Sequence, residues 1–267
     1  MKTGKNIARF LMGTFLLSYA MWGIVFLAQE MDWFQYGTPI SVVLVTIGAN
    51  SPAISAYFAI KRQNKDLMLK KYMMDAFCVK QYPLHYLLVL LFIIIFFGVP
   101  AVMGGIAGQL EPYSGGTQAT DPMPIWITVL AIPFFFFLGG SEELGWRHFL
   151  QPALEQKTRF FFATLMTACI WYVWHLPLFL ITGTSQNSSN LLSFAIYIIG
   201  TAFAAAAIYR ISKSAWLCIF FHCATNALQG SWPLYDDYAT KTITSILLIA
   251  VSLVAVFLDS RRPLTAR

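Results

Sequence analysis

The stretch "AIPFFFFLGGSEELGWRHFLQP", residues 131–152, decides the fold class and frames the functional question. It begins as a run of apolar and aromatic side chains suited to lipid. It then places two adjacent carboxylates, Glu142 and Glu143, one helical turn before Arg147. An apolar run of this kind recurs along the chain. Of 267 residues, 58% are hydrophobic, 16% aromatic and only 11% charged, with 23 Phe, and the mean hydropathy is +0.63. A soluble domain of this length would carry about twice that charged fraction. The composition therefore predicts an all-α, polytopic membrane protein, because backbone groups in lipid must be satisfied within each segment and these long, unalternating runs suit helices, not barrel strands.

About eight spans are expected, near residues 10–28, 40–60, 85–103, 123–141, 160–181, 191–209, 215–229 and 242–258, the seventh being the shortest. With the N-terminus inside, seventeen of the eighteen Lys and Arg residues fall on the cytoplasmic side and only Lys241 falls outside. Lys and Arg concentrate on the cytoplasmic side of membrane proteins, so both termini are expected there, in a multi-pass protein of the cell membrane. The net charge of +6 reflects this topology and is not read as a nucleic-acid surface. The first hydrophobic run is too long for a signal peptide and is read as a retained helix. The four cysteines form no C-x-x-C pair and read as small packing residues. The basic segment 61–83 is either an interfacial amphipathic helix or a solvated connector. No internal repeat is found, so the chain reads as one domain. Residues 1–122 supply N-terminal helices and a connector, 123–229 a helix core, and 230–267 a last helix and basic tail.

Ionisable groups within a bilayer are costly, which marks those present as functional candidates. The short list is Glu142, Glu143 and Arg147 at the end of the fourth run, His175 in the fifth, and His222 with Asn226 in the seventh. Glu143 and Arg147 are i,i+4 and share a helix face. Glu142 lies about 100° around and points elsewhere. His222 and Asn226 are also i,i+4. Each group has an ordinary reading: a flanking ion pair, a packing histidine, an interhelical hydrogen bond. Together, a carboxylate, two imidazoles and an amide can form a hydrolytic site. Glu142 or His175 would deprotonate water, and His222 and Asn226 would receive the developing oxyanion. Glu142, His175, His222 and a water would also make a plausible zinc site. The cofactor is therefore none or zinc, with Asn226 better suited to an oxyanion hole than to a zinc shell.

The ordered set "EELGWR" (142–147), "WYVWH" (171–175) and "HCATN" (222–226) resembles the CPBP family of type II CAAX prenyl endopeptidases and bacterial bacteriocin-processing and self-immunity (Abi) proteins. The resemblance implies Glu142 as general base assisted by His175, Glu143 and Arg147 ordering the site, and His222 and Asn226 stabilising the oxyanion. Two departures stand out. The second motif usually begins with Phe and here begins with Trp171, a replacement expected to keep packing. His148 stands where Gly often follows the motif Arg, at the site's expected cytoplasmic lip. The expected function is an intramembrane endopeptidase that accepts a peptide or membrane-protein substrate from the cytoplasmic side. The rivals are a catalytically silent immunity or scaffold protein and a proton-coupled transporter, which would show broken helices in matching halves. One spatial conflict stands. Glu142 falls at the cytoplasmic end of its run, whereas His175 lies about 22–24 Å beyond Arg159 on an ideal helix. The two meet if the fourth helix runs on through Leu154 and the fifth begins well into the cytoplasm, or if the helices are strongly tilted. The sequence carries no signal for oligomeric state.

Overall fold

The computed structural model describes residues 2–62, 64–108, 124–229 and 237–261, and among them the ordered elements are all helical. Five helices are long and apolar enough to cross a membrane: α1 (Gly4–Glu30 of a helix that begins at Lys2), α5 (Pro83–Ala107), α8 (Phe160–Leu180, its last turn tightened after His175), α9 (Leu191–Ser212) and α11 (Tyr238–Ser260). Two further apolar segments are bent. They are α2 (Pro39–Ala49) with α3 (Ser51–Lys61), at 41°, and α6 (Ile125–Phe136) with α7 (Gly140–Glu155), at 42°. The short apolar helix α10 spans Ala215–Leu228, and a short helix α4, Leu69–Ala76, joins α3 to α5. Every apolar run in the sequence corresponds to one of these helices or bent pairs, and the chain is a multi-pass membrane protein. The basic tail expected beyond Arg261 and residues 109–123 and 230–236 lie outside the described residues.

Local chemistry sets the boundaries. Pro39, Pro52 and Pro83 sit in the first turns of their helices, where a missing N–H is tolerated. Asn190 caps α9 by accepting from the backbone N–H of Leu192 and Ser193, a device worth about 1 kcal/mol. Ser214 and Asp237 cap α10 and α11 in the same way.

Helix α9 is the central pillar, with Ala204–Ala207 wholly buried, and it packs along α11. Small residues permit the approach. A Cβ on Gly200 would lie 2.7 Å from Ser245 Oγ, and Ser245 donates to the Ile196 carbonyl at 2.7 Å. On the other side α1 packs on α2 and α3, and Trp22 donates to the Val45 carbonyl at 3.1 Å. Phe10, Trp22, Trp146, Trp174 and Ile198 share one core, so the N-terminal helices close around the segment that carries the motifs. Large apolar side chains such as Leu16, Phe58, Leu90, Phe134 and Leu192 stay exposed, as expected of surface that faces lipid.

The bundle has two ends. At the loop end, Gln29 of α1 bonds to the Thr182 carbonyl, and Lys241 near the start of α11 donates to Ser193. At the termini end, Arg210 pairs with Glu155 at 3.1 Å and Ser214 meets the Cys78 carbonyl. The segment 61–83 contributes α4 to this end, with Tyr72 and Ala76 turned inward and Lys70 and Lys71 exposed.

Candidate active site

The breaks of the two bent pairs are joined to each other. Asn50, between α2 and α3, donates to the carbonyls of Thr46 (2.7 Å) and Phe137 (2.9 Å), and its side-chain oxygen accepts from Ser141 at 2.6 Å. One amide thus satisfies groups freed by both interruptions, which a lipid environment could not do. Gly145 allows the close approach, since a Cβ there would come within 2.7 Å of the Pro52 carbonyl oxygen. The two breaks fall at Asn50-Ser51-Pro52 and at Gly139-Gly140.

The break resolves the spatial conflict raised by the sequence. Helix α7 does run through Leu154 to Glu155, which puts Glu142 in the middle of the bundle instead of at its edge. The fifth helix begins at Phe160, no earlier than its apolar run. A π-type turn at Trp146–Leu150 shifts the face of α7 where the motif side chains project.

Glu142, Glu143, Arg147 and His175 are all buried, with His222 and Asn226 partly so. Glu142 Oε2 accepts from the indole N–H of Trp171 at 2.8 Å and of Trp146 at 3.2 Å. Glu143 Oε1 accepts from Arg147 at 3.0 Å and from His222 Nδ1 at 2.8 Å. His175 Nδ1 lies 2.8 Å from the Trp171 carbonyl. A carbonyl or carboxylate only accepts, so in both histidines Nδ1 carries a proton and Nε2 is left for chemistry. Trp171 is the hub. Its N–H holds Glu142, its ring lies 4.3 Å beneath the Arg147 guanidinium, and its carbonyl orients His175. Trp171 packs in the buried core, as expected of a ring in the place of Phe, and it also donates a bond that Phe cannot. Trp146, which the sequence gives no reason to single out, does the same.

Gly139 shows where the motifs converge. It stands at the break with φ of +146°, a conformation open to glycine but strained for other residues. A Cβ placed on it would lie 3.0 Å from Asn226 Nδ2, 3.1 Å from His222 Nε2 and 3.6 Å from Glu142 Oε1. Two potential donors and the free carboxylate oxygen thus surround one point, kept open because residue 139 has no side chain. Its neighbour Gly140 packs on Cys223 and Ile219 of α10. A cavity of about 560 Å³ includes Glu142, Glu143, His175, His222 and Asn226 in its wall.

His148 lies away from this cavity. Its Nδ1 is 3.2 Å from the Tyr209 hydroxyl, and it borders a second cavity of about 440 Å³ with Asn6, Asn64 and Gln156. His85 bonds to Gln81 at the foot of α5.

The zinc reading fits this arrangement poorly. Among the described residues no three His, Cys, Asp or Glu side chains are grouped closely enough to hold an ion together.

The chain is similar to known membrane proteases. Over 96% of this chain and 95% of the relative, the sequence is 24% identical to CAAX prenyl protease 2 of Methanococcus maripaludis. Over 46% of this chain and 47% of the relative, it is 28% identical to the putative membrane peptidase YdiL of Bacillus subtilis. Residues 124–228, which hold the three motifs, match the model of the type II CAAX prenyl endopeptidase family, Rce1-like.

Proposed function

We propose that the protein is an intramembrane endopeptidase in which Glu142 activates the water that attacks a peptide carbonyl. The observation that carries this reading is the convergence of Asn226 Nδ2, His222 Nε2 and Glu142 Oε1 around the open point beside Gly139. Two indole N–H groups occupy Glu142 Oε2, which leaves Oε1 to take a proton from water. His175, its Nδ1–H fixed on the Trp171 carbonyl, offers the Nε2 lone pair as a second acceptor for that water.

As the hydroxide adds to the carbonyl carbon, charge builds on the carbonyl oxygen. Asn226 Nδ2–H and, with its ring doubly protonated, His222 Nε2–H donate to that oxygen, while the Glu143 carboxylate offsets the imidazolium charge. Collapse breaks the C–N bond, and the proton held by Glu142 passes to the leaving amine. No step is routed through a metal.

Broken spans also occur in transporters. Here the freed groups of both breaks bond to one another through Asn50, and the adjacent polar groups converge as a hydrolase requires. The experiment is a comparison of membrane peptides in cells carrying the wild type or Glu142→Ala. A substrate should accumulate uncut in the variant, and identical peptide sets would overturn the reading.

A further inference from the structure

The cavity is one-sided. Helix α1 contributes Trp22, not its first two-thirds. Helix α5 contributes Phe96 and Pro100, α9 contributes residues from Phe194 to Ala205, and α11 contributes residues from Lys241 to Leu248. Each of these is the part nearer the loop end. The wall continues there into Tyr36, Ser185, Gln186 and Gln229, and Ser185 is exposed. The middle of the wall is apolar, with Phe135, Ile198 and Phe221, whereas the loop end is hydroxylated and amidated, with Thr184, Ser189 and Thr244.

Beyond Glu143, toward the termini end, the path is filled. Leu144, Trp146, Arg147, Leu150 and Gln151 of α7 are at most 2% exposed, and Ala215 and Ile219 of α10 pack against the same level. None of these residues borders the cavity. Tyr72 of α4, buried with its hydroxyl near the Leu144 carbonyl, closes the layer below. Burial, and after it the neighbouring Tyr209, pushes the Tyr72 hydroxyl above its usual range, so it stays neutral there. The cavity therefore runs from Glu142 through an apolar middle to a polar loop end, and a packed barrier closes the other side.

The charge bias orients these ends. The basic residues of 61–80, 157–159 and 210–213 gather at the termini end, and Lys241 lies at the loop end. We propose that substrate reaches Glu142 from the extracytoplasmic face, opposite to the side expected from the sequence. The substrate class is then a peptide or protein segment displayed on that face, not one presented from the cytoplasm. The inference rests on the endopeptidase reading for what is cut and on the cavity and charge distribution for where it enters.

The test uses two independent readouts. The first probe is a fluorogenic decapeptide with terminal arginines, chosen as the one cut fastest by detergent-solubilised protein from a mixed pool and unable to cross membranes. In right-side-out vesicles it should be cut at nearly the rate seen after permeabilisation. In inverted vesicles it should hardly be cut until they are permeabilised. The reverse pattern would overturn the inference and leave the endopeptidase reading intact. Cleavage in detergent no faster than that of Glu142→Gln would overturn the endopeptidase reading instead. The second readout does not depend on activity. Ser185→Cys, in a background with Cys78→Ser and Cys169→Ser, should react with an impermeant maleimide on right-side-out vesicles. Labelling confined to inverted vesicles would contradict entry from the outer face.

Discussion

Trp171 donates its indole N–H to Glu142 at 2.8 Å across 29 positions of sequence, and the bond fixes which carboxylate oxygen faces the cavity. Hydrogen bonds to a charged group contribute about 1.5–3 kcal/mol. Trp171→Phe keeps a ring beneath Arg147 and the backbone carbonyl beneath His175 but removes the donor. It should lower kcat about tenfold with little change in KM and a modest drop in melting temperature. Trp171→Leu should lose stability as well, because the cation–π contact goes too. A fully active Trp171→Phe enzyme would show that the indole only packs.

Glu143 serves two partners, and one pair of variants separates them. Breaking a buried ion pair by removing one partner costs about 3–5 kcal/mol, whereas replacing both by apolar groups is often neutral. Glu143→Leu or Arg147→Met alone should therefore unfold well below the wild type. The double variant should recover thermal stability yet stay inactive, since His222 Nδ1 has lost its acceptor. Activity returning together with stability would limit Glu143 to a structural role.

At Gly139 the prediction is steric. Gly139→Ala puts a methyl group within 3.1 Å of both donors and should reduce turnover at least as much as loss of one oxyanion donor, about 100-fold. Gly37 supplies the control. It also has positive φ, +95°, but nothing lies within 4 Å of where its methyl group would stand, so Gly37→Ala bears backbone strain without touching the site. Equal activity in the two alanine variants, measured alongside their melting curves, would remove Gly139 from the site.

The apolar runs predict the helices because lipid allows few alternatives, and i,i+4 spacing predicts the Glu143–Arg147 pair directly. The joint between the two broken spans is not legible in the sequence. It depends on Asn50 meeting Phe137 and Ser141, about ninety residues away, and spacing rules describe only one helix at a time. The second partner of Glu143 is hidden for the same reason, as His222 is 79 positions distant. Ring volume is all that the sequence shows of Trp146 and Trp171, because their N–H groups gain meaning only from where Glu142 points. Within "LGGSEELGW", the glycine pair hints at a positive φ near Gly139, but not at the atoms for which it makes room.

Asn226 and the metal question share one experiment. Asn226→Ala should lower kcat about 10²–10³-fold, with substrate affinity changing far less because the oxyanion exists only in the transition state. The purified wild type should keep its activity after exhaustive chelation, with elemental analysis confirming that zinc is gone. Loss on chelation and recovery on adding zinc, together with zinc lost from His175→Ala or His222→Ala protein, would replace the oxyanion assignment by a metal site.

The most direct measurement is the single-turnover cleavage rate of purified Glu142→Gln beside the wild type, on one peptide and with matched melting curves. Gln keeps the volume of Glu142 and can still accept from Trp146 and Trp171, but it cannot take a proton from water. The rate should fall about 10²–10⁴-fold, the range for loss of a general base, in a protein that melts like the wild type. A folded Glu142→Gln enzyme that cleaves at the wild-type rate would contradict the account at its centre.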